Sequence, residues 1–446
     1  MYCLKNGFVL DSNSGQFQKA DIVINDEKIV SLEDNHMLHL ESMQEVDVTG
    51  KYIIPGLFDM HVHIKHKFAP LFTAAGITTV RNTGGNVMEL ASLRHAPNDA
   101  TTPRVISADR LIDGPPGLWG ETSPWNLNVS TVEEAKNEVK RQVEAGADLI
   151  KVYGWLSAEN MKAVVEEAKI HKLEVSCDLI YSTKVNALDA AKMGIKWNEH
   201  ASGILQLLFP KWSMQAEDII WNEIDWEKDY RQELEPICLE LINHGVIICP
   251  TLTLYDQLYR FPNGWKPPAN IPEELLNPQS LVQQWSHLES YKEALQKQGK
   301  PINIIKQIVK LYHDLGGTIV AGTDTPAGVW TFPGLALHRE LQLLVESGLT
   351  ESQALQCATV GAANSLELME LGEIKSNYTA DLIILNKNPL EDIKNTLSIH
   401  RIIKGGMMYE QQDILTTIPS DEEVQSFMNQ FTQDFQEGYF ADKLMR

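Results

Sequence analysis

The sequence predicts an α/β protein: a (β/α)8 TIM-like barrel carrying a small β-sandwich assembled from the N- and C-terminal segments. Three observations predict it. Short apolar strand candidates alternate with helical stretches between residues 56 and 365. Strand-and-turn patterning without helices fills residues 1–55, and the same patterning returns at residues 366–410. The remaining segment, 411–446, has helical composition and is expected to pack outside as a tail.

In the first segment, residues 20–25 and 28–32 flank Asp26-Glu27 as a hairpin, and residues 46–54 supply a further strand or strand pair. Ile54-Pro55-Gly56 then closes this part. Strand candidates follow at 77–81, 104–107, 148–152, 173–176, 197–200, 246–250 and 318–323, with helices at 132–145 and 157–171 between some of them. After residue 370 the pattern returns to strands at 380–385, 399–403 and 407–410, with Lys404-Gly405-Gly406 as the last turn. Residues 203–300 exceed what a minimal barrel needs. They contain Trp212, Trp221, Trp226, Trp265 and Trp285, and read either as a lid over the site or as an insertion whose tryptophans pack it down.

Composition narrows the function. The 446 residues are 43% hydrophobic and 22% charged, the balance of an ordinary globular protein. Sixty acidic against 38 basic residues give a net charge of −22, spread without long single-sign blocks. That charge argues against non-specific nucleic-acid binding and against attraction to an anionic membrane. The expected partner is a small-molecule substrate, and a homo-oligomer is compatible with the chain. No charged-then-apolar leader is expected, and no apolar run reaches spanning length. Five scattered cysteines lack metal-finger or secreted-scaffold spacing, so they read as reduced thiols of a cytoplasmic protein.

Four strand ends offer groups that could carry chemistry. His61-Val62-His63 closes an apolar strand behind a Pro-Gly turn, and residues two apart on a strand share a face. Two imidazoles entering a barrel mouth together suit a borderline metal such as zinc. Asp324 follows a late strand, where barrel enzymes keep catalytic groups; an Asx turn or helix cap before Pro326 is the plainer reading of that residue alone. His200 and Lys151 end two other strands. Singly, each is more often structural or solvated. Together, they place a ligand-type residue at each of four strand ends.

The order Gly56-Leu-Phe-Asp-Met-His-Val-His63, Gly146-Ala-Asp-Leu-Ile-Lys151, Glu199-His200, Pro250-Thr-Leu252 and Gly322-Thr-Asp324 resembles the amidohydrolase superfamily. Its nearest likeness is to the imidazolonepropionase and Xaa-Pro dipeptidase branch. The resemblance extends through Arg339-Glu-Leu, Ala354-Leu-Gln-Cys-Ala-Thr359 and Ala380-Asp-Leu-Ile-Ile-Leu-Asn386, covering roughly residues 1–410. It implies that His61 and His63 hold one metal ion and that Lys151, often carboxylated in the family, bridges it to a second. It further implies that His200 serves the second ion and that Asp324 binds metal and handles the proton. His200 is also a candidate for polarising the carbonyl. The expected cofactor is therefore a divalent metal, zinc first, as one ion or two.

The chain departs from the family pattern at the fifth strand, where a histidine is usual and Ser176-Cys177-Asp178 stands instead. Asp178 is the expected replacement ligand, the alternative being a mononuclear centre. The leading reading is hydrolysis of an amide, cyclic amide or dipeptide bond by metal-activated water. Deamination of a heterocycle is a rival on the same scaffold, although the glutamate that related deaminases place beside the fifth-strand histidine is missing. A barrel that has lost its chemistry and only binds is the other.

Overall fold

A computed structural model describes residues 1–12, 14–33, 43–278 and 280–437. The end of the expected helical tail, 438–446, lies outside the described residues. Eight strands run in chain order: β1 (Leu57–Val62), β2 (Ile77–Asn82), β3 (Arg104–Ser107), β4 (Leu149–Tyr153), β5 (Glu174–Asp178), β6 (Trp197–Glu199), β7 (Ile247–Cys249) and β8 (Thr318–Ile319). β1 to β3 pair in parallel, and so do β4 to β8. The bridges Ala108↔Leu149 and Val62↔Thr325 link the two sets at both seams. The arrangement is barrel-like, with parallel strands buried on both faces as their apolar runs require.

Local sequence explains the helices between strands. Val132–Glu144 begins at a capping box in which Thr131 and Glu134 satisfy each other's backbone N–H groups. Ala158–Ile170 is capped by Ser157, whose side chain accepts from the Asn160 backbone N–H. Strand ends were harder to read. β4 runs on to Tyr153, which puts Lys151 in mid-strand rather than at its end, and β6 stops at Glu199, one residue before His200. The last strand is only Thr318–Ile319 by pairing, although Val320 and Ala321 continue its backbone bonds to Ile248 and Cys357.

The terminal segments interlock. Tyr52–Pro55 pairs in parallel with Tyr2–Asp11 and antiparallel with Leu382–Leu385, stitching the two ends of the chain together. The hydrogen-bonded product is one eight-stranded sheet that contains both ends of the chain. Leu4, Ile22, Ile24, Ile53, Leu382, Ile384 and Ile403 share one apolar cluster. The Lys404-Gly405-Gly406 turn touches the N-terminal hairpin so closely that a Cβ on Gly406 would lie 1.7 Å from the Asp26 carbonyl oxygen. Only glycine fits there.

The long stretch after β6 folds into helices around an aromatic cluster. Trp212, Trp221 and Trp226 are buried, with ring centroids 5.1 to 6.0 Å apart, and Trp285 packs on Trp330 and Phe332. These tryptophans pack the insertion down. The C-terminal helix Asp421–Glu437 lies beside the segment that follows β1, stacking Phe427 on His66 and Phe431 near Trp125. Among the described residues no helix is long and apolar enough to cross a membrane, and all five cysteines are buried and outside any disulfide.

One buried histidine makes stability depend on pH. His338 donates Nε2–H to the Ala75 carbonyl at 2.9 Å, and burial pushes its pKa down to about 4. The unfolded chain binds this proton near pH 6.5, so between pH 6.5 and 4 the unfolded state holds more protons and stability falls as pH falls. The expected loss across that window is about 3 kcal/mol from this residue. Urea unfolding of H338Q should show a flatter pH dependence there than the wild type; parallel curves would contradict the assignment.

Candidate metal centre

β1 delivers both histidines of the His61-Val62-His63 segment to one point. Their Nε2 atoms lie 3.2 and 3.1 Å from Asp324 Oδ1, so the spacing of two places them on a common face as the sequence suggests. Asp324 reaches them because its backbone N–H bonds to the His61 carbonyl at 2.7 Å, directly beside β1. A side chain at Gly322 would collide with Cys249 Sγ at 2.4 Å and His61 N at 2.7 Å, so this approach depends on glycine.

Strand alternation alone would send Glu199 and His200 to opposite faces. His200 instead has φ +64°, and Thr251 and Asp324, at the ends of the next two strands, have φ +48° and +59°. These left-handed residues turn the strand ends inward, an unfavourable backbone state that clusters at functional sites. Consequently the His200 ring lies 4.7 Å from that of His61, while Glu199 contacts the other edge of the same imidazole. His200 is held by Thr251 Oγ1 at 2.7 Å from Nδ1, and its Nε2 is 3.4 Å from Asp178 Oδ2. Asp178 therefore ends β5 against His200. Cys177 instead joins the buried apolar cluster behind the strands.

Lys151 is fully buried on β4, and its Nζ has no hydrogen-bond partner, lying 5.3 Å from the centroid of Tyr153. An unpartnered buried ammonium is costly.

Electrostatics favour ionised carboxylates at Asp324 and Asp178, a neutral ring at His61 and a charged ring at His200. Burial raises the Asp324 pKa, but His61, His63 and His200 outweigh it and hold the carboxyl well below the usual range. Burial lowers the His61 pKa more than Glu199 and Asp324 raise it, which favours the neutral imidazole. For His200 the balance is reversed: Asp178 overcomes burial and raises its pKa, while Asp178 is lowered in turn.

The residues fit a divalent ion. Two imidazole nitrogens and a carboxylate oxygen converge with all ligand atoms within 4.8 Å, a borderline-hard donor set. His61 Nε2, buried, makes no hydrogen bond of ordinary geometry despite its closeness to Asp324. It faces His63 and Asp324 as a candidate ligand atom.

Sequence reasoning missed Glu199 and Arg81 as parts of the centre. Both are fully buried, and the Glu199 carboxylate contacts His61 Nδ1 at 2.7 Å and Arg81 at 2.8 and 3.0 Å. The signal available was a glutamate directly before a candidate ligand and an arginine inside an apolar strand, where a charge needs a partner. His61, Glu199 and Cys249 also bring ligand-type atoms within 4.8 Å, but the Arg81 guanidinium already balances Glu199 there, which disfavours a second cation.

Comparison with known proteins gives the relationship. The sequence profile of the amidohydrolase family matches residues 52–408. Ochratoxinase from Aspergillus niger is 27% identical over 326 residues, 69% of this chain, and the match spans only 55% of that relative's length. A solved Xaa-Pro dipeptidase with methionine bound in its active site superposes with TM-score 0.67 at 22% identity, covering 92% of this chain and 99% of that one. The A. niger ochratoxinase structure superposes with TM-score 0.65 at 20% identity, covering 91% and 95%. These structures share the fold.

Proposed function

The chain belongs to the amidohydrolase family, and from that premise we propose that it is a metal-dependent hydrolase of carbon–nitrogen bonds in a small molecule, an amide, cyclic amide or dipeptide. The observation that carries the proposal is the convergence of His61 Nε2, His63 Nε2 and Asp324 Oδ1 at the strand ends. Ochratoxinase and Xaa-Pro dipeptidase among the similar proteins support the reaction class. The proposal includes eight strands closed into a (β/α)8 barrel, a terminal sheet curled over its cluster as a sandwich, and a cytoplasmic location.

In this reading His61, His63 and Asp324 hold a divalent ion, zinc first, with His200 and Asp178 placed for a second. Such an ion supplies Lewis acidity and a water acidified toward neutrality. Asp324, kept ionised, accepts the proton of the attacking water and returns it to the leaving nitrogen as the C–N bond breaks. In a one-ion centre His200, held by Thr251 and Asp178, is instead placed to donate from Nε2 to the carbonyl oxygen as negative charge develops there. Lys151, whose Nζ has no hydrogen-bond partner, would serve as a bridging ligand only as an anionic carbamate, since an ammonium sits poorly beside a metal ion.

The test is metal analysis of protein purified without added metal, with substrate screens. One or two equivalents are expected, with turnover of N-acyl amino acids or prolyl dipeptides rather than ammonia release from heterocycles. Far less than one equivalent, with no activity gained from zinc or manganese, would overturn the proposal in favour of a binding protein.

A further inference from the structure

We infer that Glu199, clamped between Arg81 and Ser176, is a positioning residue that fixes the His61 imidazole with its proton on Nδ1, so that Nε2 keeps a lone pair for metal. The inference rests on the metal reading above.

The geometry leaves little choice. Glu199 Oε2 lies 2.7 Å from His61 Nδ1 and 3.0 Å from Arg81 Nη2. Oε1 accepts from Ser176 Oγ at 2.6 Å and lies 2.8 Å from the same Arg81 nitrogen. All four residues are buried, with 0% exposure each. A guanidinium and a hydroxyl on this carboxylate are donors, and an ionised carboxylate has no proton to give. At Glu199 the only role open to His61 Nδ1 is therefore that of donor, which leaves Nε2, on the side of His63 and Asp324, as the nitrogen turned toward a metal. This is the arrangement in which an outer hydrogen bond selects the ligating nitrogen and makes it more basic.

Arg81 has two further anchors that make the clamp rigid. Its Nε donates to the Met60 carbonyl at 2.7 Å, one residue before His61, and its guanidinium lies 4.1 Å from the Trp197 ring centroid. The clamp thus spans four strands: His61 on β1, Arg81 on β2, Ser176 on β5 and Glu199 on β6. His200 follows Glu199 directly in the chain, so the same strand end positions one proposed ligand through its side chain and carries another.

Two variants test this in the full-length protein. E199Q keeps the shape but places an amide NH2 against at least one donor. Because it also leaves the Arg81 charge unbalanced, the neutral double variant R81M/E199Q guards against simple misfolding. Zn2+ affinity is read by chelator competition, and ligand geometry by the visible spectrum of the Co2+-loaded protein. Expected are a Zn2+ affinity lowered by about 10- to 100-fold in both variants and an altered Co2+ spectrum, with near-UV circular dichroism unchanged in the double variant. Wild-type affinity in the double variant would overturn the inference alone. A wild type that binds neither ion would overturn the metal reading, and this inference with it.

Discussion

Replacing Asp324 by asparagine is expected to lower kcat by about 10²- to 10⁴-fold, the usual contribution of a positioned acid–base group, while the protein stays folded. Asparagine keeps the size of aspartate and also tolerates the left-handed backbone that Asp324 adopts at φ +59°, so the strand end should keep its path. What is lost is the charge. The carboxylate lies 3.2 and 3.1 Å from the two imidazoles, which hold its pKa well below the ordinary range despite burial. An amide cannot take a proton from water, and as a neutral ligand it also weakens metal binding. The variant is to be compared with wild type in kcat, metal content and near-UV circular dichroism. Undiminished turnover at equal metal loading would remove Asp324 from the chemistry.

The second large effect falls on stability and leaves the centre alone. Glu138 is buried and accepts from Arg110 at 2.7 and 2.5 Å, from Arg141 at 3.0 and 2.8 Å, and from Gln142 at 2.8 Å. Burial would raise its pKa, but the two guanidiniums hold it down at about 2. Asp109 also pairs with Arg141, so E138A strands Arg110 most of all. Breaking one partner of a buried ion pair costs about 3–5 kcal/mol because the other charge remains buried without compensation. A large fall in the urea midpoint at unchanged slope is expected, with kcat of the folded fraction unaffected. A loss below about 1 kcal/mol would mean that the arginines find water or other acceptors.

Legibility in the sequence followed the range of the physical rule involved. The strand–helix alternation, the helix that begins at residue 132 and the hairpin around Asp26 depend on neighbours a few residues away, and the structure has them where the pattern suggests. The common face of His61 and His63 follows from strand period alone. Strand ends were misplaced at Lys151 and His200 because a strand stops where pairing and tertiary packing stop it, and no local residue marks those points.

The sequence by itself determined the class of fold, the candidate ligands and the likeness to the amidohydrolase family, because each rests on residue type and short spacing. Only the tertiary structure decided how they meet. It brought Asp324, 261 residues beyond His63, within 3.1 Å of it, and set Asp178 against His200 where the usual fifth-strand histidine is absent. It also revealed the Arg81–Glu199 pair behind His61. Residue types hint at each partner, but their pairing is set by strands far apart in the chain, and the left-handed turn at His200 overrides the alternation that would predict which way its side chain points.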